Sequence, residues 1–303
     1  MAKRLKLNNS ITIEQLRDDF IASCRARNLS SYTVDNYTRN TKYFIEWMNN
    51  SSILLEDVRN KTLTEYTKYL QTHTNRNGTS INTILRNCKV WFEWLYQEEY
   101  IEQPIKVRYL KVDKKPKDIY SDEDIKKLIA KPLNNCTLAE YRNYCIIRVF
   151  IGTGIRRTTL INLKLDDILW EERLIRLTIT KARKTQYVPL TVSVAKAIKD
   201  WLKYRPNSDT NYLFLTEQGT QLQADNLTNS IYDYCKKRGC KITSIHAFRH
   251  YFSQSYIESG GNIYHLSKML GHSNISVTEN YLRSIKIDKL FDMEQFDLLA
   301  NLQ

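Results

Sequence analysis

From Thr12 to about Gln103, apolar residues return every third or fourth position, the period of helices that each bury one stripe. The first stripe is Leu16, Phe20, Ile21 and Cys24, entered by Thr12 and Gln15 at capping-box spacing. Val34, Tyr37, Thr41, Phe44, Ile45 and Met48 form the second, on a helix that starts at Ser30 or Ser31. Thr62 and Glu65 have the spacing of another capping box ahead of Tyr66, Tyr69 and Leu70. A fourth helix from about Ser80 carries Ile81, Ile84, Leu85, Cys88, Trp91, Phe92 and Leu95 on one broad face. The pattern predicts a small bundle of four or five helices over residues 1–103.

The pattern then breaks. Residues 104–118 hold Lys106, Arg108, Lys111, Lys114, Lys115 and Lys117 against Asp113 and Asp118, with Pro104 and Pro116 interrupting helix. This is expected to be a basic interdomain linker, which either tracks a phosphate backbone or stays a solvated tether. Over 119–303 a second domain is expected to open with Ser121 capping a helix whose first turn is Asp122, Glu123 and Asp124. A helix with Tyr144, Ile147 and Phe150 runs into Gly152-Thr153-Gly154. Ile175, Leu177 and Ile179 alternate with polar residues at strand period, and Tyr187-Val188-Pro189-Leu190 lies across the turn Lys181-Ala182-Arg183-Lys184. That predicts a hairpin, extended to three strands by Ile168-Leu169-Trp170, with helices resuming at Val194, Ile198, Trp201 and Leu202. The expected fold class is therefore mainly α with a small antiparallel β-sheet, in two domains.

Charge narrows the partner. Lys and Arg outnumber Asp and Glu by 46 to 33, a net +13, which favours a polyanion and nucleic acid first. The six cysteines are scattered, without a CxxC pair or a cluster with histidine, so no zinc or other metal is expected. No apolar run approaches the roughly 18 residues of a spanning helix, and the N-terminus leads into no signal-peptide core. The expectation is a cytoplasmic protein with reduced thiols and no membrane partner.

Candidate chemistry gathers late in the chain. Four of the five histidines, His246, His250, His265 and His272, fall within one short stretch. On a helix from Thr243 or Ser244, Ile245, Phe248 and Phe252 share one side, and His246, Arg249, His250 and Ser253 share the other. His246 and Arg249 thus project together, whereas His250 and His265 are expected to play supporting structural roles. Leu266, Met269 and Leu270 end a helix at Gly271, suited to a left-handed cap, and His272 follows at the turn. Ser276 and Glu279 have capping-box spacing for a short helix bearing Tyr281. A phenol titrates near pH ~10, so it attacks a phosphodiester only when a neighbour takes its proton and cations offset the phosphate charge.

These boxes, in this order, resemble the tyrosine recombinases, the class of phage integrases and Xer proteins. Gly154-Ile155-Arg156 is similar to the family's Gly-Leu-Arg signature, and Lys181 precedes Val188-Pro189-Leu190 as the family's hairpin lysine precedes Val-Pro-Leu. His246-Ala247-Phe248-Arg249 matches the HxxR box, Leu270-Gly271-His272-Ser273 matches Leu-Gly-His, and Tyr281 lies nine residues after His272. Thr33-Val34, Tyr37, Phe44 and Trp47 resemble the core-binding domain. One departure stands out: Thr158-Thr159 occupy the place where the family has Ser-Glu, the acid that helps to hold the first arginine.

The resemblance implies a SAM-like helical core-binding domain joined to a catalytic domain, and site-specific cleavage and rejoining of DNA through a 3′-phosphotyrosyl bond. It implies Tyr281 as nucleophile, Arg156 and Arg249 on the scissile phosphate, Lys181 as general acid, His246 as general base and His272 as a phosphate donor, with no metal or other cofactor. The implied partners are double-stranded DNA with inverted-repeat core sites, further protomers forming a tetramer at synapsis, and accessory DNA-bending proteins, with action at the nucleoid. A C-terminal helix rich in Leu290, Phe291, Phe296 and Leu298 is expected either to pack on its own domain or to dock on a neighbouring protomer. The role favoured by the Thr158-Thr159 departure is that of a mobile-element integrase or transposon recombinase. A Xer-type resolvase of chromosome or plasmid dimers, a relaxing topoisomerase and a non-catalytic DNA-binding factor are the alternatives.

Overall fold

The computed structural model describes residues 11–113, 119–178, 185–272 and 274–282, and the chain divides into two compact units, Met1–Lys115 and Pro116–Gln303. The turn 181–184, Ile179 and the expected C-terminal helix lie outside the described residues.

The first unit holds helices α1 (Ile13–Ala26), α2 (Ser31–Asn50), α3 (Asn60–His73) and α4 (Gly78–Gln97). The Thr12 capping box is present, with Gln15 N–H donating to Oγ1 of Thr12 and Thr12 N–H to Oε1 of Gln15. Phe44 sits at the centre of the core and meets Tyr66 and Phe92 edge-on at 4.9 and 5.2 Å, the arrangement that ring quadrupoles favour. Two helix starts differ from the sequence reading. Helix α3 begins two residues before Thr62, whose Oγ1 accepts from Arg59 N–H, so Thr62 fills the third helical position rather than the cap. Helix α4 begins at Gly78 because Asn77, not Ser80, supplies the capping oxygen.

After Gln103 the chain does not leave this unit at once. Ile105 is buried in its core. Lys106 N–H donates to Oδ1 of Asn60 at 2.7 Å, and Asn82 exchanges two hydrogen bonds with the backbone of Leu110. Residues 105–110 are thereby laid beside α3, leaving a groove of about 560 Å³ whose charged lining is Lys61, Lys68, Lys106 and Arg108.

The second unit is built around α6 (Leu138–Thr153), buried on nearly every side from Arg142 to Phe150 and packed by α5 (Asp122–Ile129), α8 (Val192–Leu202), α9 (Ala224–Lys237) and α10 (Ile245–Glu258). Thr137 and Glu140 cap it reciprocally. The sheet has the order β1 (Ile168–Leu169), β2 (Leu174–Leu177), β3 (Gln186–Pro189), antiparallel throughout. Ile175 faces Val188, and both point into the core. Strand β1 stops short of Trp170, whose ring is partly exposed under the Lys199 ammonium.

Among the described residues this unit also holds α7 (Arg157–Ile161), α11 (Ile263–Leu270) and α12 (Ser276–Leu282). Helix α10 is packed by α6, α11 and α12. Its expected polar side is therefore largely enclosed: Arg249, His250 and Ser253 are buried, and His246 alone of that set is exposed. Phe248 stacks on Tyr120 at 4.5 Å, and the Tyr120 hydroxyl donates to the carbonyl of Ser244 at the start of α10. Helix α12 begins at Ser276, whose N–H donates to Oδ1 of Asn274, so Ser276 lies within the helix and is not its cap.

Candidate active site

Helix α6 ends at Gly154 in the left-handed conformation, φ +62°, with its N–H returned to Phe150. A Cβ at this position would come within 2.3 Å of the Phe252 ring, so both the backbone angle and the close approach of α10 require glycine. Two residues later Arg156 leads into α7. Arg156, Ile245, His246 and Arg249 line one cleft of about 320 Å³. Arg157, beside Arg156, is held toward α9 by the Thr228 hydroxyl, the Ala224 carbonyl and the Asp225 carboxylate.

Arg249 organises the floor of the site. Its Nη1 donates to the carbonyl of Gly154 at 2.8 Å, and its Nη2 donates to the carbonyl of Leu270 at 2.7 Å and to Nε2 of His272 at 2.9 Å. One buried guanidinium thus ties the end of α6 to the end of α11. A guanidinium only donates, so Nε2 of His272 is the acceptor, and the ring proton is on Nδ1, which donates to Oγ1 of Thr278 at 2.8 Å.

The backbone at His272 is fixed as well. Gly271 takes φ +62°, its N–H donates to Lys268, and the N–H of His272 donates to Ser267, which together make a Schellman turn. His246 stands exposed at the cleft with its ring edge-on to the buried His250, 4.8 Å away. His265 is exposed at the start of α11, away from these contacts.

The structure thus brings Arg156, His246 and Arg249 to one cleft and joins His272 to Arg249. Position 281 is on α12, which packs on α10 and α11. The side chain of Tyr281, and all of Lys181, lie outside the described residues. Thr159 is buried on α7. Sequence reading missed Thr278, a fully buried polar residue that orients His272, and Gln186 of β3, which reaches the end of α11. Thr278 sits three positions before Tyr281, yet a threonine in a short polar stretch gives no sign of burial.

Two of the buried thiols are held in their protonated form. Burial pushes Cys145 up to about 12 and Cys240 up to about 11, away from the thiolate form. Among the described residues no group of His, Cys, Asp and Glu could hold a metal ion, and no helix is long and apolar enough to cross a membrane.

Comparison with known proteins gives the family and the fold. Residues 119–286 match the model of the phage integrase family, and residues 16–102 match the phage integrase N-terminal SAM-like domain. The chain is 28% identical to a tyrosine recombinase of Pseudothermotoga lettingae over 91% of its own length and 93% of that protein's. It is 31% identical to the tyrosine recombinase XerD of Chlamydia muridarum over 67% of this chain and 69% of that one. In fold it is similar to the Tn1549 transposon integrase solved in complex with a circular-intermediate DNA, with a TM-score of 0.77 at 21% identity, covering 95% of this chain and 100% of that chain.

Proposed function

Because the chain belongs to the phage integrase family, the tyrosine recombinases of site-specific DNA recombination, we propose that the cleft of Arg156, His246 and Arg249 receives the scissile phosphate and that Tyr281 cuts it. The observation that carries this reading is the convergence of three separate sequence boxes on one site, through Arg249 and its bonds to Gly154, Leu270 and His272.

In the proposed reaction the phenolic oxygen of Tyr281 attacks phosphorus and the bond to the 5′-oxygen breaks. One DNA end is left as a 3′-phosphotyrosine and the other as a free 5′-hydroxyl. His246 takes the phenol proton, and Lys181 gives a proton to the leaving oxygen. Arg156 and Arg249 stabilise the charge that builds on the non-bridging oxygens, each worth about 3 to 4 kcal/mol by analogy with oxyanion-hole donors. His272 is engaged at both ring nitrogens in this arrangement, so donating to the phosphate requires it to take a proton on Nε2 and release Arg249. Attack on the phosphotyrosine by a partner strand's 5′-hydroxyl reverses the chemistry and completes exchange without net loss of a phosphodiester.

The partner proposed is double-stranded DNA with inverted-repeat sites, bound by four protomers at synapsis, with accessory DNA-bending proteins. The net charge of +13 and the four cations of the first unit's groove support that partner. The narrower role proposed is movement of a mobile element, for which Thr158-Thr159 is the supporting feature. The test is a plasmid carrying two copies of a site selected from random DNA by the protein itself. Recombination between the copies supports the reading; specific binding without exchange replaces it with that of a DNA-binding factor. Integration into a single-site target, as against resolution of plasmid dimers, separates the mobile-element role from the Xer-type one.

A further inference from the structure

The last turn of α11 is held from outside by two side chains. Arg249 takes the Leu270 carbonyl, and Gln186, from β3, takes the two before it: its Nε2 donates to the carbonyls of Lys268 and Met269 at 2.6 and 2.5 Å. Both belong to the last carbonyls of the helix, which lack a partner one turn on; that of Lys268 also accepts from the N–H of Gly271, and that of Met269 is met by Gln186. A carboxamide, with two donors on one nitrogen, fits a pair of them. The other end of the same group lies against Gly271, where a Cβ would come within 2.3 Å of Gln186 Oε1. Gln186 therefore seats on both sides of the turn from which His272 projects. Its own backbone is fixed in the sheet opposite Leu177.

We propose that Gln186 is a positioning residue for strand cleavage: from β3 it fixes the turn that presents His272, and so sets where His272 meets Arg249. The proposal rests on the function proposed above. It touches no reacting atom and acts through His272. A displacement of a positioned group by a fraction of an ångström to an ångström costs up to about a hundredfold in rate, so a partial loosening is expected to cost about tenfold.

The test measures single-turnover formation of the covalent adduct on a nicked duplex of the selected site, using the full-length protein. Gln186→Met keeps the length and removes both donors. Gln186→Glu keeps the shape and sets a carboxylate against two carbonyls. Gln186→Arg restores two donors, with a charge that suits a helix C-terminus. The expected result is a loss of about tenfold for the Met and Glu variants and near wild-type rate for Arg, with DNA affinity unchanged in all three. Against a His272→Ala background, Gln186→Met is expected to have no further effect, because the two residues act on one coordinate.

Wild-type rates in both the Met and Glu variants, or the same fold loss with and without His272, would overturn the proposal. Should Gln186→Met fail to fold, the contrast between Glu and Arg decides. If wild type itself forms no adduct, the proposed function fails; if wild type reacts and the Gln186 variants match it, this inference alone fails.

Discussion

Arg249 and His272 are joined by a hydrogen bond, Nη2 to Nε2 at 2.9 Å, and each is anchored separately on its far side, Arg249 to Gly154 and His272 to Thr278. The bond fixes the tautomer of the histidine and closes a path from the end of α6 to α12. Removing His272 leaves one N–H of the buried Arg249 without this acceptor, and removing Arg249 leaves Nε2 of the half-buried His272 without this donor. The two substitutions to alanine are therefore expected to be non-additive, with a coupling of about 1 kcal/mol or more in a double-mutant cycle of unfolding free energies. Arg249→Lys is expected to behave like Arg249→Ala in the cleavage assay, since an ammonium does not reproduce the planar fork that spans Gly154, Leu270 and His272.

Gly154 makes that geometry available. Its φ of +62° and the Phe252 ring 2.3 Å from where a Cβ would stand make Gly154→Ala costly on two counts. Backbone strain of about 1 kcal/mol adds to the displacement of a ring, so a loss of about 2 to 3 kcal/mol is expected in chemical denaturation. Gly239→Ala, also at positive φ but with nothing within 4 Å of the added carbon, is expected to cost only the strain.

The first unit's groove supplies a prediction about salt. Lys106 and Arg108 are fixed there by the packing of residues 105–110, and each phosphate contact releases condensed counterions on binding duplex DNA. Lys106→Ala with Arg108→Ala is expected to weaken binding uniformly across sequences and to reduce the slope of log affinity against log salt by about 2. An unchanged slope places these cations away from the phosphate backbone.

Alkaline pH is expected to weaken the fold. Burial pushes Cys88 and Cys145 up to about 12 and Cys240 up to about 11, whereas an unfolded thiol titrates near pH ~8.5. As pH rises the unfolded chain loses its thiol protons first, so the stability these groups contribute is complete below about pH 8.5 and is lost as pH climbs toward their folded values. Denaturation midpoints measured from pH 7 to 11 are expected to hold and then fall, with a shallower fall in Cys145→Ala. In the native state at pH 8 a thiol reagent is expected to modify Cys136, the one cysteine not buried, and to reach the other five only in denaturant.

Much of this was legible in the sequence because it follows from local rules. The apolar stripes of α1, α2 and α4 and the stops at Gly154 and Gly271 depend on neighbours within a few residues, and β2 pairs with β3 across one short connection. Cap positions were less so. Thr62 and Ser276 have the right spacing for capping boxes, but Arg59 and Asn274 occupy the relevant places because the preceding chain already turns into the helix there. The burial of Arg249 and His250 was illegible, since a helix period distinguishes the two sides of α10 without showing that α11 and α12 cover the polar one. Gln186 and Thr278 were missed for the same reason: their partners, at Lys268 and His272, are fixed by tertiary packing.

The most direct measurement of the central claim is a nicked duplex of the selected site incubated with wild type and with Tyr281→Phe, each with EDTA present, and resolved by denaturing electrophoresis. A protein–DNA adduct that resists denaturation, forms with wild type and is absent from Tyr281→Phe is the expected result, with the DNA released by protease as a 3′-phosphate carrying a tyrosyl peptide. Adduct formation by Tyr281→Phe, or specific binding by wild type with no adduct at any time, would contradict the assignment of Tyr281 as the nucleophile.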